Sequence, residues 1–199
     1  MAPRPRESRL GMLANGIGLV AVLTVAWFVA QSTPGDAVWQ GPIPVEGAVG
    51  ETLTGRNIEA TITDVRIADE VVASNGWAGP TTGVWVVVDA SVSRVVDDEG
   101  VGLGTANLVI DTTTYSASER PDMATIARQS LSTGIPLTGP LMFEVPRELV
   151  QSASAHAAHI QLAANSDTRT DSIIVVEVDL TALTIEPTID TNEPIRGER

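Results

Sequence analysis

His156 and His159 are the only histidines in the chain, and their i, i+3 spacing would set both rings on one side of a helix. Two imidazoles there could supply two ligands to a divalent metal, but a third would have to come from elsewhere, and no HExxH-type signature accompanies them. The pair is therefore read as solvent-facing, on a segment that leads into the apolar run HIQLAA. Asp97, Asp98 and Glu99, followed by Gly100, could hold calcium through carboxylate oxygens. EF-hand spacing is absent, so a charged turn that blunts edge pairing between strands is the plainer expectation. Asp167 and Asp171 invite the same two readings, with the structural one preferred.

Nucleophilic catalysis needs a serine or threonine beside a base, yet GxSxG is missing and neither histidine has a carboxylate partner evident in sequence. The chain has no cysteine, which excludes disulfides, thiol catalysis, Cys-ligated zinc, iron–sulfur clusters and a lipidated N-terminal cysteine. Paired carboxylates for glycoside hydrolysis meet only in space, but glycan sites usually need aromatic platforms. Beyond residue 30 the aromatics are only Trp39, Trp77, Trp85, Tyr115 and Phe143. With no catalytic constellation, a non-enzymatic protein without cofactors is expected.

Trp77 stands out, in the loop SNGWAGPTTG with three glycines and a proline. It has two readings: an exposed hot spot for a partner, since its area anchors contacts at low entropy cost, or a ring folded back to cap one end of the domain.

These residues need a scaffold, and the pattern between about Glu51 and Ile185 is period-2 nearly throughout. In GVWVVVDASVSRV, Val84, Val86, Val88, Ala90 and Val92 share one face, with Trp85 on the other, expected under a crossover spanning Arg120 to Leu131. IIVVEVDL sets Ile174, Val176, Val178 and Leu180 together. RNIEATITDVRIA aligns Ile58, Ala60 and Ile62, then changes parity to Val65 and Ile67, which predicts a bulge near Asp64. Further strands are predicted in Ala106–Ala117, Pro140–Val145 and His159–Ala164, with helical turns in Arg120–Leu131 and Pro146–His159. Six or seven short strands predict an all-β antiparallel sandwich, a barrel of similar size being the other architecture the pattern allows.

The N-terminus is built differently. LGMLANGIGLVAVLTVAWFVA, from Leu10 to Ala30, is uncharged, and its 21 residues would span roughly 31 Å as a helix, against about 30 Å of bilayer core. Arg4, Arg6 and Arg9 against Glu7 give +2 ahead of it, so the remainder carries −15 of a total of −13. The positive-inside rule then puts residues 1–9 in the cytoplasm and the acidic part outside, with Trp27, Phe28 and Trp39 near the outer interface. A cleaved signal peptide shares the basic start, but the apolar run exceeds the usual core of about 7 to 15 residues, and Phe28-Val29-Ala30 lacks alternating small residues. A retained single transmembrane helix is expected. Gly11, Ala14 and Gly18 place small residues on about one side of it, and Asn15 beside them could add an interhelical hydrogen bond. The predicted organisation is a cytoplasmic N-terminus (1–9), a transmembrane helix (10–30), a Gly/Pro-rich juxtamembrane spacer (31–50), the sandwich (51–185) and a disordered acidic tail (186–199).

The opening strand Gly55–Val65 (GxxIxAxIxxV), the glycine-led strand Gly83–Val92 and the later Phe143-Glu144-Val145-Pro146 together resemble the telokin-like, Ig-like extracellular domains of unknown function found in Gram-positive envelope proteins. The resemblance covers about Gly50 to Leu180 and implies an Ig-like fold and an external location, with no catalytic residues carried across. Basic residues that are all arginine suggest a high-GC genome, such as an actinobacterial one.

Strong acidity argues against nucleic acid. The expected function is a membrane-anchored accessory subunit making protein–protein contacts in a cell-envelope or transport complex, through Trp77 or the Gly11, Ala14, Asn15, Gly18 face. The alternative is a ligand-sensing ectodomain for a cation or cell-wall glycan.

Overall fold

The computed structural model describes residues 9–32, 40–96 and 102–198, so Trp39 and the acidic turn Asp97–Gly100 lie outside the described residues. The chain divides into two units, 1–41 and 42–199.

The first unit holds one helix, α1 (Arg9–Ser32). Over Gly11–Ser32 it is long and apolar enough to cross a membrane. Its hydroxyls are satisfied internally: Thr24 Oγ1 donates to the Val20 carbonyl at 2.8 Å and Ser32 Oγ to that of Val29 at 3.0 Å.

The second unit is a two-sheet sandwich. One sheet runs in the order β1 (Ile43–Gly47), β9 (Ser172–Val178), β8 (Ala158–Ala163), β5 (Thr105–Ile110), β6 (Thr113–Ser116). The other runs β10 (Ile185–Asp190), β3 (Ile58–Val72), β4 (Ala78–Arg94), β7 (Leu137–Val145), β11 (Ile195–Arg196), with β2 (Thr52–Thr54) also on β3. Most pairings are antiparallel, and two edge pairings, β1 with β9 and β10 with β3, are parallel. The segment predicted as one strand from Ala106 to Ala117 is a hairpin, β5–β6, turning where Asp111 takes φ 54°.

Period 2 decides what each strand buries. Val84, Val86, Val88, Ala90 and Val92 face inward against Leu108, Ile110, Ile160, Leu162, Ile174 and Val176 of the facing sheet, forming the main core. The parity change in β3 is a bulge, with the β3–β4 register shifting between Ile62 and Asp64. A second core lies on the outer face of the β3–β4–β7 sheet, where Trp85, Val87 and Met142 pack with Val71, Ala73, Ala124 and Ile189. Ala124 comes from the predicted crossover, which forms two 3₁₀ turns, Asp122–Ala124 and Ile126–Arg128. Trp85 is fully buried there.

Two predicted boundaries are corrected. The sandwich begins before residue 51, because β1 falls within the expected spacer; its Pro and Gly content reads as a linker but suits an edge strand, and Ile43 N–H donates to the Asp171 carbonyl at 2.8 Å. The stretch 186–198 is not a loose tail. β10 lies along β3 with Ile189 buried, and Arg196, on β11, donates to Ser130 O and Ser132 Oγ, both at 2.7 Å. Of the acids and prolines that suggested disorder, Glu186, Pro187 and Asp190 are exposed on the edge strand β10, where they are tolerated.

Candidate functional site

The sandwich has two unlike ends. The chain enters at Ile43, level with Ser172 at the start of β9. That end is pinned by Asp171, which accepts from Asn57 Nδ2 and Asn165 Nδ2 at 2.7 Å each and from the Ser172 N–H at 2.7 Å. Burial works to raise the Asp171 pKa, but these hydrogen bonds, with Arg56 nearby, leave it below the ordinary carboxylate value. Asp167, next along the loop, pairs with Arg169, which holds its pKa down at about 2.

The opposite end carries two recesses on either side of one ridge, formed by Pro146, the short helix α2 (Arg147–Val150) and Gln151. Pro146 precedes the helix, where its fixed φ starts the first turn without sacrificing a hydrogen bond. The first recess, about 430 Å³, is floored by the buried side chains of Ile67, Val150 and Leu180 and walled by Leu183 and Ile185. Its rim is polar: Arg147, which ion-pairs with Asp69, together with Gln151 and Thr181. An apolar floor under a few hydrogen-bonding groups is the ordinary make-up of a binding recess.

The second recess, about 410 Å³, exists because β4 departs from β3. Trp85 pairs with Ala68 and Pro80 with Glu70, so four residues of β4, Thr81–Val84, oppose the single Asp69. The bulged loop of Thr81, Thr82 and Gly83 faces Glu144, Pro146 and Glu148. Gly83 is required there, since a Cβ would overlap the Val145 carbonyl oxygen. This recess is acidic and polar, with Thr81 Oγ1 donating to Glu144 Oε1 at 2.5 Å.

Trp77 folds back. Its ring meets Trp85 edge-on at 5.6 Å and 86°, and the Arg120 guanidinium lies 5.3 Å from the Trp77 centroid and 5.6 Å from that of Trp85. Arg120 also donates to Glu144 Oε2 at 3.1 Å. Gly76 at φ 84° and Asn75, whose Oδ1 accepts from Trp77 N–H at 3.0 Å, set the turn that aims the ring inward. Trp77 is half-buried and belongs to the second core.

The two histidines do not share a helix. His156 sits in the 3₁₀ turn Ala153–Ala157 with Nδ1 2.7 Å from Asp179 Oδ2, whereas His159 lies on β8 with Nε2 3.9 Å from Glu177 Oε2. Asp179 also accepts from Thr181, and that bond, then His156, lowers its pKa. Among the described residues no group of three or more His, Asp or Glu is arranged to hold a metal ion.

On α1, the 100° step per residue keeps Gly11, Ala14, Asn15 and Gly18 on one face. The hollow in the helix surface is on the other side, at Gly16, flanked by Met12, Leu13, Ile17, Val20 and Ala21. The sequence reading missed this hollow, although Gly16 was the signal for it. It also missed the recess beside Gln151, whose residues come from four segments and share no motif.

No family model and no curated protein matches the sequence. Among solved structures, the chain is similar to an uncharacterized β-sandwich protein from Clostridium difficile, at 14% identity and TM-score 0.47, covering 70% of this chain and 97% of that one. It is similar also to a candidate lipoprotein from Staphylococcus aureus, at 11% identity and TM-score 0.46, covering 72% and 97%.

Proposed function

We propose that this chain is a membrane-anchored, non-enzymatic binding module, an accessory subunit that makes protein–protein contacts in a cell-envelope or transport complex. In this reading α1 is a single retained span, the arginines of residues 1–9 are cytoplasmic and the sandwich is extracellular. The observation that carries it is the recess of mixed polar and apolar lining at Val150, Leu180 and Leu183, at the end of the sandwich opposite the point of chain entry. A partner would seat an apolar side chain there and pair its polar neighbours with Gln151 and Thr181. Anchoring raises the effective concentration toward any partner in the same membrane, so a recess of this size suffices.

The Ig-like part of the reading is supported by connectivity. β4 lies beside β7, β5 beside β8 and β8 beside β9, while β1 joins β9 in parallel. Trp77 contributes through the rigidity it gives the Thr81–Glu144 flank, and the Gly11, Ala14, Asn15, Gly18 face is the contact inside the membrane.

Photo-crosslinking in intact cells, with a probe at Gln151 and another at Asn15, tests this reading. Capture of one membrane or envelope protein at Gln151, lost when Leu183→Asp is added, is the expected result. Capture of nothing but lipid at both positions would overturn it.

A further inference from the structure

The sandwich buries most of its large apolar side chains, and the exceptions are not scattered. Of the six that are exposed among its described residues, Val49 lies in the turn before β2 and Met123 in a 3₁₀ turn over the second core. The other four, Ile43, Val95, Val96 and Ile195, share the end at which the chain enters. Hydrogen bonds tie these positions together. Ile43 N–H donates to the carbonyl of Asp171, whose carboxylate accepts from Asn57, and the Asn57 carbonyl accepts from Val95 N–H at 3.0 Å. Thr133 Oγ1 donates to the Val96 carbonyl at 3.4 Å, and Arg196, next to Ile195, bonds to Ser130 and Ser132 of the same loop.

What this end meets follows from the chain that leads to it. Ten peptide steps separate Ser32, the last residue of α1, from Pro42, where the sandwich unit begins, and at full extension they reach no more than about 36 Å. With α1 spanning a membrane, Ile43 is tied close to the lipid face, whereas the far end of the fifteen-residue β3 lies roughly 50 Å further along the strand. Charge gives no reason for an anionic partner here. Arg169 is neutralised by Asp167, and the sequence sets Asp97, Asp98 and Glu99 directly after Val96, against the exposed Arg56 and Arg196.

We propose that the entry end of the sandwich rests on the bilayer surface, with Ile43, Val95, Val96 and Ile195 entering the boundary between lipid headgroups and acyl chains. Aliphatic side chains leave water there as they do in a protein core. Four of them make a weak contact, which the short tether renders effective by holding lipid always within reach. The contact needs no anionic lipid and does not weaken with salt. It holds the Gln151 recess away from the lipid, open to a partner. The inference rests on the reading of α1 as a retained span.

The test uses the full chain in phosphatidylcholine vesicles that hold no other protein and include a lipid with a nitroxide on its headgroup. Because the sequence lacks cysteine, one introduced thiol carries a fluorophore at a chosen place: Ser166→Cys, exposed at the entry end, or Ser154→Cys, exposed at the other. Quenching is expected to be several-fold stronger at Ser166 than at Ser154, and equal in roughly 0.1 M and 1 M salt. Ile43→Ser, Val96→Ser and Ile195→Ser together change only exposed positions, so the melting temperature should hold while Ser166 quenching falls toward the Ser154 level. Val96→Ser with Ile195→Ser serves if the triple variant melts early. Equal quenching at the two sites, quenching that survives in the folded variant, as tethering alone would give, or loss of quenching at high salt would each overturn the proposal. A patch kept for a protein leaves both probes unquenched and overturns it too. Alkaline carbonate separates this failure from that of its premise: chain that carbonate releases was never inserted, and the span reading falls together with the proposal, whereas chain retained but unquenched defeats the proposal alone.

Discussion

The indole Nε1 of Trp85 donates to the carbonyl of Gly79 at 2.6 Å, although both lie on β4 and are six residues apart. Six residues of extended strand cover about 20 Å, several times the reach of an indole ring. The four-residue bulge at Thr81–Val84 therefore shortens the path, so that Gly79, still paired with Val71 on β3, comes within reach of the Trp85 ring. That bulge sets Trp77 against Trp85 in the second core and leaves the polar recess beside Glu144.

Losing the bond tests the bulge. Trp85→Phe keeps an aromatic ring but strips the Gly79 carbonyl of a buried donor and leaves a small void, so a loss of about 2 kcal/mol is expected. Gly79→Ala should destabilise by a separate route, because its methyl would overlap the Trp77 ring. Urea unfolding of each variant measures both.

Trp77→Ala distinguishes a structural ring from an interface. The contact with Trp85 and the overlying Arg120 predict a loss of about 2 to 3 kcal/mol, below the cost for a fully buried tryptophan because the ring is half-exposed. An unchanged melting temperature with lost partner capture would instead assign the ring to an interface.

Asp171 supplies the pH dependence. Its folded pKa lies below the ordinary 3.8, so its stabilisation is fully present above 3.8 and disappears as pH falls through the folded value. Asp171→Ala should therefore cost most near neutrality, with the gap to the parent chain closing under acid. Denaturant midpoints at pH 7 and at pH values below 3.8 check the sign; a gap that widens in acid contradicts it.

At the recess, Gln151→Trp fills the mouth from an exposed rim position. Capture by a probe at Thr181 is expected to vanish, while stability stays within about 0.5 kcal/mol, as for most surface changes. Circular dichroism melting beside the crosslinking separates blockage from misfolding.

Where burial follows a simple alternation, the fold could be read before any coordinates. The Val84–Val92 face, the Ile174–Val178 face and the bulge before Asp64 all follow from which apolar side chains must share a side. The edges could not be read this way. β1 and β10 bury little, carry proline and charge, and gain their order from a neighbouring strand distant in sequence, as Ile43 does from Asp171 and Thr191 from Val72. The recess was hidden for a related reason, since Ile67, Val150 and Leu183 lie far apart in sequence, on β3, on α2 and in the turn before β10. Trp77 was visible as a residue of interest, but its direction depended on Gly76 and on Trp85, eight positions away.

Because Ile189 closes the second core and belongs to a strand made after all those it covers, the order of synthesis matters. Until residue 189 has emerged from the ribosome, the Trp85 side of the sheet has no complete roof, however well the valine side has already collapsed. A stalled or prematurely ended chain would thus display a wet tryptophan and an unpaired flank on β3, the kind of surface that quality-control factors recognise.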